Sequence, residues 1–417
     1  MCLTLFLIAG QVPWSALAYG VEIHGFYSQG YMKSTDRDFG STDNDYMAET
    51  SEGTFQFNEM GLNFSTDLTD ELRIGMQFFA RDLGPEGNDE IKLDWAYADY
   101  RFKDYLGLRV GKVKLVVGLY NDVRELDMTR TSVLLPQGVY TETWRDNLSG
   151  IKGVSLYGDV PIPVIGSFQY TLQAGMITVS KDTGFAVAFE ERLSKYSLTV
   201  TDMDADVCYS GALEYQPSLV DGLRLKYTYY DIQNVTFAGA SVVPTNAFGK
   251  DKPPIDYPTT LMYRVNTLDR YVISAEYMRG DFTFVGEYTI GEFQGDLKFD
   301  GLTGWIDRDP VKGEGWYITG SYRFNDLFEW GIGYSNYYPN KDDKDGDDQA
   351  AIEGKPDYTA WEKDFYSSFR FDLNEWAILK FEIHVKNGFG AYSAAQDPDV
   401  IPEEDWLLFA SKITFTF

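Results

Sequence analysis

Cysteine is nearly absent: the 417-residue chain has only Cys2 and Cys208. The first falls in a segment expected to be removed, so the mature chain has no internal disulfide and must be stabilised in other ways. Histidine is as scarce, at His24 and His384. There is no C-x-x-C-H haem site, no phosphate-binding Gly-Lys loop and no H-E-x-x-H, so neither a cofactor nor a metal is expected. Positive charge is in deficit, with 36 Lys+Arg against 64 Asp+Glu for a net −28. That balance excludes a nucleic-acid binder held by phosphate contacts. Beyond the first twenty positions no apolar run approaches the ~20 residues of a spanning helix, which excludes a helical membrane protein.

What the chain has in quantity is rings and turns. Aromatics supply 16% of it, as 30 Tyr, 28 Phe and 9 Trp, and there are 39 Gly. This is too much strand-forming material for a disordered acidic polymer. Residues 1–18 read as a cleaved signal peptide: an apolar stretch runs from Leu3 to Ala9, and Ala16-Leu17-Ala18 fits the small-x-small cleavage rule.

From Val21 onward the sequence alternates residue by residue over segments of roughly ten, the signature of a transmembrane β-strand. In 376–387 one parity carries Ala377, Leu379, Phe381, Ile383 and Val385, and the other Lys380, Glu382, His384 and Lys386. The final segment sets Leu407, Phe409, Ile413, Phe415 and Phe417 against Lys412, Thr414 and Thr416. Sixteen strands are predicted, beginning near Val21, Thr54, Leu72, Ile91, Leu106, Lys152, Ser167, Ala205, Leu223, Arg270, Phe282, Trp316, Phe328, Phe365, Trp376 and Trp406. The turns at 67–71, 103–105, 218–222, 279–281, 325–327 and 372–375 are short and polar, and long loops lie between them. A soluble propeller or sandwich also alternates. Against it stand the rarity of charge on the apolar parity, the long-short alternation of connections and the lack of a blade-length repeat. The expected fold is an all-β, transmembrane, antiparallel sixteen-stranded barrel, one domain over 19–417, with long loops outside and short turns in the periplasm. By parity, Arg73, Arg81, Arg224, Lys226, Arg323, Arg370, Lys380, His384 and Lys386 face its lumen, with Glu276, Glu287 and Glu382 among them.

A first strand Val21-Glu22-Ile23-His24-Gly25-Phe26-Tyr27 directly after a leader, and a last strand ending Lys412-Ile413-Thr414-Phe415-Thr416-Phe417, resemble the bacterial outer-membrane porins. The resemblance implies a Gram-negative outer membrane and a homotrimer. It also implies lipid and lipopolysaccharide as surroundings, and recognition of the Phe417 strand by the outer-membrane assembly machinery. A local likeness lies in Arg109-Val110-Gly111-Lys112-Val113-Lys114 running into Gly118-Leu119-Tyr120-Asn121-Asp122-Val123-Arg124. It looks like a basic eyelet residue followed by the third outside loop, and faintly like the phosphate-selective branch, although that branch's arginine ladder and lysine cluster are not found. The likeness implies that 119–150 folds inward as a constriction. It would bring Asp122, Arg124, Glu125, Asp127 and Arg130 to the eyelet with Arg109 and Lys112. Asp122, Glu125 and Asp127 would then face wall cations across a narrow gap, with a transverse field that favours polar solutes.

The eight long segments 35–53, 82–90, 119–150, 178–204, 236–269, 294–315, 339–364 and 388–405 hold nearly all of the net negative charge. Solubility of a solvated loop face is one reading. An acidic mouth would also gather cations within a Debye length, roughly 8 Å at physiological salt, and carboxylate clusters could hold divalent ions against lipid phosphates. The run Lys341-Asp342-Asp343-Lys344-Asp345-Gly346-Asp347-Asp348 fails as a calcium loop. With Gly346 at the invariant glycine, Lys341 falls on the first acidic ligand and Ile352 on the bidentate Glu.

The sequence therefore predicts a passive channel for small hydrophilic solutes or ions, and no enzyme. Three alternatives are a substrate-specific, anion-selective channel, a barrel acting as surface anchor or partner sleeve, and an outer-membrane hydrolase. For the last, His24 and His384 lie at different heights and neither has an evident serine partner.

Overall fold

The computed structural model describes residues 20–36, 38–39, 48–84, 87–181, 183, 186, 190, 198–243, 257–300, 304–354, 356–390 and 403–417. The expected leader over 1–18 lies outside them, as do parts of every long segment except 119–150.

Among the described residues the alternating segments become sixteen wall strands: β1 (Glu22–Ser34), β2 (Asn58–Asp67), β3 (Leu72–Asp82), β4 (Lys92–Lys103), β5 (Leu106–Lys114), β6 (Gly150–Ile162), β7 (Gly166–Ile177), β8 (Thr199–Asp204 and Val207–Pro217), β9 (Leu223–Ile232 and Val235–Val243), β10 (Tyr257–Arg279), β11 (Phe282–Phe299), β12 (Val311–Arg323), β13 (Phe328–Tyr338), β14 (Glu362–Asn374), β15 (Ala377–Gly388) and β16 (Asp405–Thr416). Each is antiparallel to its neighbour, and β16 returns to β1 with Tyr27 opposite Phe415. The sheet closes and presents no edge, the condition for a β structure to sit in lipid.

Burial is inverted relative to a water-soluble protein. In β15 Lys380, Glu382, His384 and Lys386 are at most 4% exposed, while Ile383 and Val385 are about half exposed, at 48% and 51%. The same inversion holds around the wall, where Val110, Leu172, Ile273, Phe284 and Ile318 stand on the outside. The connections at one end are tight. Between β10 and β11, Gly280 takes φ +59°, which lets the chain reverse within two residues.

Three long loops expected from the sequence, 178–204, 236–269 and 294–315, are in part strand. β8 and β9 are each interrupted once, side by side, where Gln233 N–H donates to the Val207 carbonyl and Asn234 adopts φ +52°. Beyond the break their outer pieces pair with each other and with the outer half of β10. β10 runs for 23 residues and β11 for 18, against the ~9–11 that cross a membrane. A four-stranded extension therefore rises past the wall from residues 199–204, 235–243, 257–268 and 292–299. Polar positions such as Thr201, Asp202 and Asn266 lie on its exposed face, so the alternation there no longer opposes lipid to lumen and reads as loop.

The inner face is not wet throughout. On β6 to β11, at the long-loop end, Ile151, Ile177, Cys208, Tyr230, Val235, Phe237, Leu261, Tyr263 and Val265 point inward and form one apolar core with Val113, Leu115, Val117 and Leu119.

The β1–β16 seam is extended at the chain end by two hydrogen bonds, Gly25 N–H to the Phe417 carbonyl and Phe417 N–H to the Gly25 carbonyl, each 3.0 Å. A Cβ on Gly25 would lie 2.5 Å from Phe417 Cζ. Gly25→Val should therefore overpack the seam at a cost of about 1–3 kcal/mol. It should lower the temperature at which the compact band on unboiled gels converts to the extended one, whereas Gly20→Val, with open space at its Cβ, should leave that temperature unchanged.

Candidate functional site

After β5 the chain turns into the barrel and stays there until β6. Its first stretch is apolar and packs on the core just described, so burial itself draws it inward. Its backbone is then bonded to the wall. Val116 N–H donates to Gln173 Oε1 at 3.1 Å, Gly118 N–H to Thr228 Oγ1 at 2.9 Å and Leu119 N–H to Glu287 Oε1 at 2.9 Å. Glu287 also accepts from Ser274 Oγ at 2.5 Å and from Tyr140 and Tyr317 hydroxyls at 2.5 and 2.6 Å. A single buried carboxylate thus ties both ends of the loop to β11 and β12.

The middle of the loop lies on one rung of the sheet. Arg370, Lys380 and Lys412 are register neighbours across β14, β15 and β16. Lys380 Nζ donates to the carbonyls of Asp127, Arg130 and Ser132 at 2.6, 2.7 and 3.0 Å. Arg370 Nη1 donates to those of Met128 and Arg130 at 2.9 and 3.2 Å. Lys412 pairs with Asp127 at 2.9 Å and with Glu59, and Thr414 Oγ1 donates to Asp127 at 2.5 Å. One rung away Glu382 accepts from Val133 and Leu134 N–H at 2.9 and 3.0 Å. Burial raises the Asp127 carboxyl, but Lys412, Lys380 and Arg130 more than reverse this and hold it well below the usual range.

The return stretch is held by guanidinium groups. Arg81 of β3 pairs with Glu142 at 2.9 Å and Asp146 at 3.0 Å, Arg124 pairs with Glu142 at 2.8 Å, and Arg145 pairs with Glu59 at 2.5 Å. For Glu142 burial is again the largest influence and is upward, but Arg124, Arg145 and Arg81 leave it well below its ordinary value. For Asp146, Arg81 and Lys92 offset burial and leave it at about 2.

What the loop leaves open is a cavity of about 750 Å³ between its far face and the walls of β2–β5 and β7–β10. Asp122 lines it, with one buried carboxylate oxygen lacking a hydrogen-bond partner. Arg109 pairs there with Asp99 at 2.9 Å and lies 4.4 Å over the Tyr157 ring. Arg224 pairs with Glu276 at 2.9 Å, and Lys226 has no partner among the described residues. Glu125 is bonded to Lys114 at 3.0 Å.

The expected residues are thus brought to four places. Arg109, Asp122, Glu125, Arg224 and Lys226 line the cavity. Arg81, Arg124, Asp127, Arg130, Arg370 and Lys380 hold the loop, and next to them His384 bonds Asp364 at 2.9 Å and Glu382 at 2.8 Å while Lys386 bonds Glu362 at 2.7 Å. Arg73 and Arg323 sit at the short-turn end, on Glu22 and Asp372. Lys112 is outside. Its register neighbours Ala96 and Lys152 belong to the outward parity, and its ammonium donates to the Leu93 carbonyl at 2.5 Å. The facing of loop acids and wall cations across a gap also differs from expectation, because Asp127 and Glu125 touch their cations and Asp122 lines the cavity with one carboxylate oxygen buried. Lys114, Asp94 and Gln77 were not expected at the site. A register shift in β3 and β4 turns Asp94 and Trp95 to the same side, which strict alternation forbids. The 341–348 run is spent locally: Asp343 accepts from Asp348 and Gln349 N–H, Lys341 pairs with Asp342 and Lys344 with Glu314.

No protein-family model matches the chain. An uncharacterized protein of Aquifex aeolicus (strain VF5) is 25% identical over 163 residues, covering 37% of this chain and 34% of that relative, so the match spans about a third of the relative's length. Among solved structures, OmpF of Salmonella typhi in complex with daunomycin is 13% identical, with 97% of this chain and 99% of that one covered at a TM-score of 0.53. The anion-selective porin from Comamonas acidovorans is 12% identical, with 95% and 99% covered at 0.52. The outer membrane channel DcaP of Acinetobacter baumannii is 9% identical, with 95% and 97% covered at 0.50. A closed antiparallel barrel of sixteen strands is the fold this chain has in common with the outer-membrane porins.

Proposed function

We propose that this protein is a passive channel in the outer membrane of a Gram-negative bacterium, admitting small hydrophilic solutes past the loop over 119–150. The long loops face outward, both chain ends lie in the periplasm, and residues 1–18 are the export signal. The observation that carries the reading is the pairing of a lipid-facing exterior with an interior where a clamped loop leaves a polar cavity along one wall. A partner sleeve is disfavoured because the chain's own loop already fills the other side of the lumen. A hydrolase is disfavoured because His384 has both ring nitrogens committed to Asp364 and Glu382 beneath that loop. The exposed apolar side chains of the outer face supply the contact expected of a homotrimer, and the Phe417 strand is the element expected to meet the assembly machinery.

The cavity's charge is balanced. Arg109, Lys114, Arg224 and Lys226 are set against Asp122, Glu125, Glu214 and Glu276. Selectivity between ions therefore comes from the acidic outer segments, where screening is strong. In planar bilayers, reversal potentials in a salt gradient should report a modest cation preference that fades as ionic strength rises; anion preference would refute this origin.

Lys380→Met leaves the Asp127 and Ser132 carbonyls without a donor and the Arg130 carbonyl with Arg370 alone, a loss of about 3–5 kcal/mol by analogy with broken buried ion pairs. The variant should keep the compact gel mobility but give larger and noisier conductance steps. A compact variant with the conductance of the unmodified protein would show that the loop does not set the passage.

Acid should act through Glu142 and Asp146. Their carboxyls are depressed in the folded state, so their contribution is complete above the unfolded value of about 4 and is lost as pH falls toward about 2, the value for Asp146. Noise from a released loop should therefore begin only below about pH 4, whereas Glu142→Gln should display it at neutral pH.

A further inference from the structure

Resting on the reading that the cavity beside the loop is the solute passage, we propose that it holds a binding site for uncharged saccharides, built on Trp95 and Tyr97. The charges of the cavity are matched against one another. Arg109 pairs with Asp99, Arg224 with Glu276, and Lys114 with Asp94 and Glu125, while Lys226 stands directly opposite Glu214 in the ladder of β8 and β9. Charges matched in this way present no field of one sign. A charged solute must break a pair or keep its water.

Neutral groups remain free along the same walls. Among the described residues no hydrogen-bond partner is found for the Trp95 indole N–H, the Tyr97 and Tyr120 hydroxyls, the Gln169 amide or the Thr171 hydroxyl, and all five side chains line the cavity. Trp95 and Tyr97 lie two positions apart on one face of β4, with ring centroids 5.2 Å apart and planes inclined by 32°. Together they make one apolar platform on the wall. Gly75 of β3, opposite Tyr97 in the ladder, has no side chain to lift the indole: a Cβ there would lie only 3.0 Å from Trp95 Cζ3. The Arg109 guanidinium lies over the Tyr97 ring at 5.3 Å and helps to fix it.

A ring platform beside unspent hydroxyl, amide and indole groups selects the solute. The rings reward a solute with an apolar face, and the polar groups orient it. A simple ion has no such face. A pyranose ring has a face of C–H groups for the aromatic platform and a rim of hydroxyls that both donate and accept. The free groups on β4, β7 and the loop, with the Lys226 ammonium as a further donor, can meet that rim without breaking an ion pair. A cavity of about 750 Å³ is of the size that holds a small organic ligand. Because the platform is one-sided and the polar groups are few, binding is weak enough for the solute to leave, which passage requires.

The test uses the full mature protein in planar bilayers at about 1 M salt, where the field of the acidic mouth is screened within about 3 Å. The probes are methyl glucoside, its charged analogues glucuronate and glucosamine, and uridine as a flat solute of similar size. Methyl glucoside should lower the open-channel current saturably, beyond the fall in conductivity of the solution itself, and each other probe should need at least fivefold more. Trp95→Ala and, separately, Tyr97→Ala should keep compact gel mobility and raise the half-saturating concentration about tenfold, whereas Trp95→Phe, which keeps a ring, should stay within threefold. A current that falls only with the conductivity of the solution, or equal saturation in the Trp95→Ala variant, would overturn the site. Equal response to the charged analogues would overturn the uncharged class, and tighter saturation by uridine would overturn the saccharide. A protein that passes no current refutes the channel reading, and calorimetric titration of methyl glucoside into the same variants in detergent then decides the site by itself.

Discussion

A stretch of irregular backbone can lie inside a barrel only if its peptide groups are satisfied there, and the rung of Arg370, Lys380 and Lys412 is what makes this possible. Three cations side by side would destabilise any sheet by themselves. The loop carbonyls at residues 127–132 and the Asp127 carboxylate remove that repulsion, and the cations in turn satisfy carbonyls that would otherwise be buried without donors. Neither side of this contact is tolerable without the other. Buried ion pairs of this kind contribute little net stability compared with apolar packing, but they penalise every misplacement heavily. Their effect is to fix where the loop lies, and hence where the cavity lies.

Apolar packing decides which side of the lumen is left open. On β6 to β11 the inner face at the long-loop end is as hydrophobic as a soluble core, and the loop's opening residues complete it. Nothing polar can pass between surfaces packed that closely. The polar lining is displaced to β2–β5 and to the short-turn ends of β7–β10, where amide, aromatic and charged side chains alternate. A barrel often described as wet inside and greasy outside is here greasy outside, dry over part of its inner face, and wet only along one wall.

The wall itself was legible in the sequence because lipid enforces period two over every strand, and the turn residues mark each reversal. Most of the sixteen strands begin within a few residues of where alternation places them, but β10 begins at Tyr257 instead of near Arg270 and β12 at Val311 instead of near Trp316. Alternation does not report on strand outside the membrane, so 236–269 and 294–315 read as loop although much of both is sheet. It also fails where a single residue slips. The register shift at Asp94 brings Asp94 and Trp95 inward together, and Lys112, which sits beside inward Arg109 and Lys114 in a basic run, belongs to the other face. The clamps were illegible for a different reason. Lys412 and Glu59 are 353 positions apart in sequence, and only closure of the barrel makes them neighbours. Glu142, bonded to three guanidinium groups, and Asp146, bonded to Arg81 and Lys92, carry no local mark that separates them from a carboxylate in open water.

The placement of charge then follows one rule on both sides of the wall. In a medium of low dielectric a cation is held only with its counter-charge. The lumen is within reach of the chain's own loop, so Lys380 and Lys412 are neutralised internally and become part of the scaffold. On the outer face Lys112 is met by the Leu93 carbonyl and by the field of Asp94 and Asp146, while Lys152, opposite it in the ladder, stands exposed. The cavity lies between these limits. Arg109 and Arg224 have partners, while Lys226 has none among the described residues, and it is a group a passing solute can engage without first displacing a bond that holds the protein together.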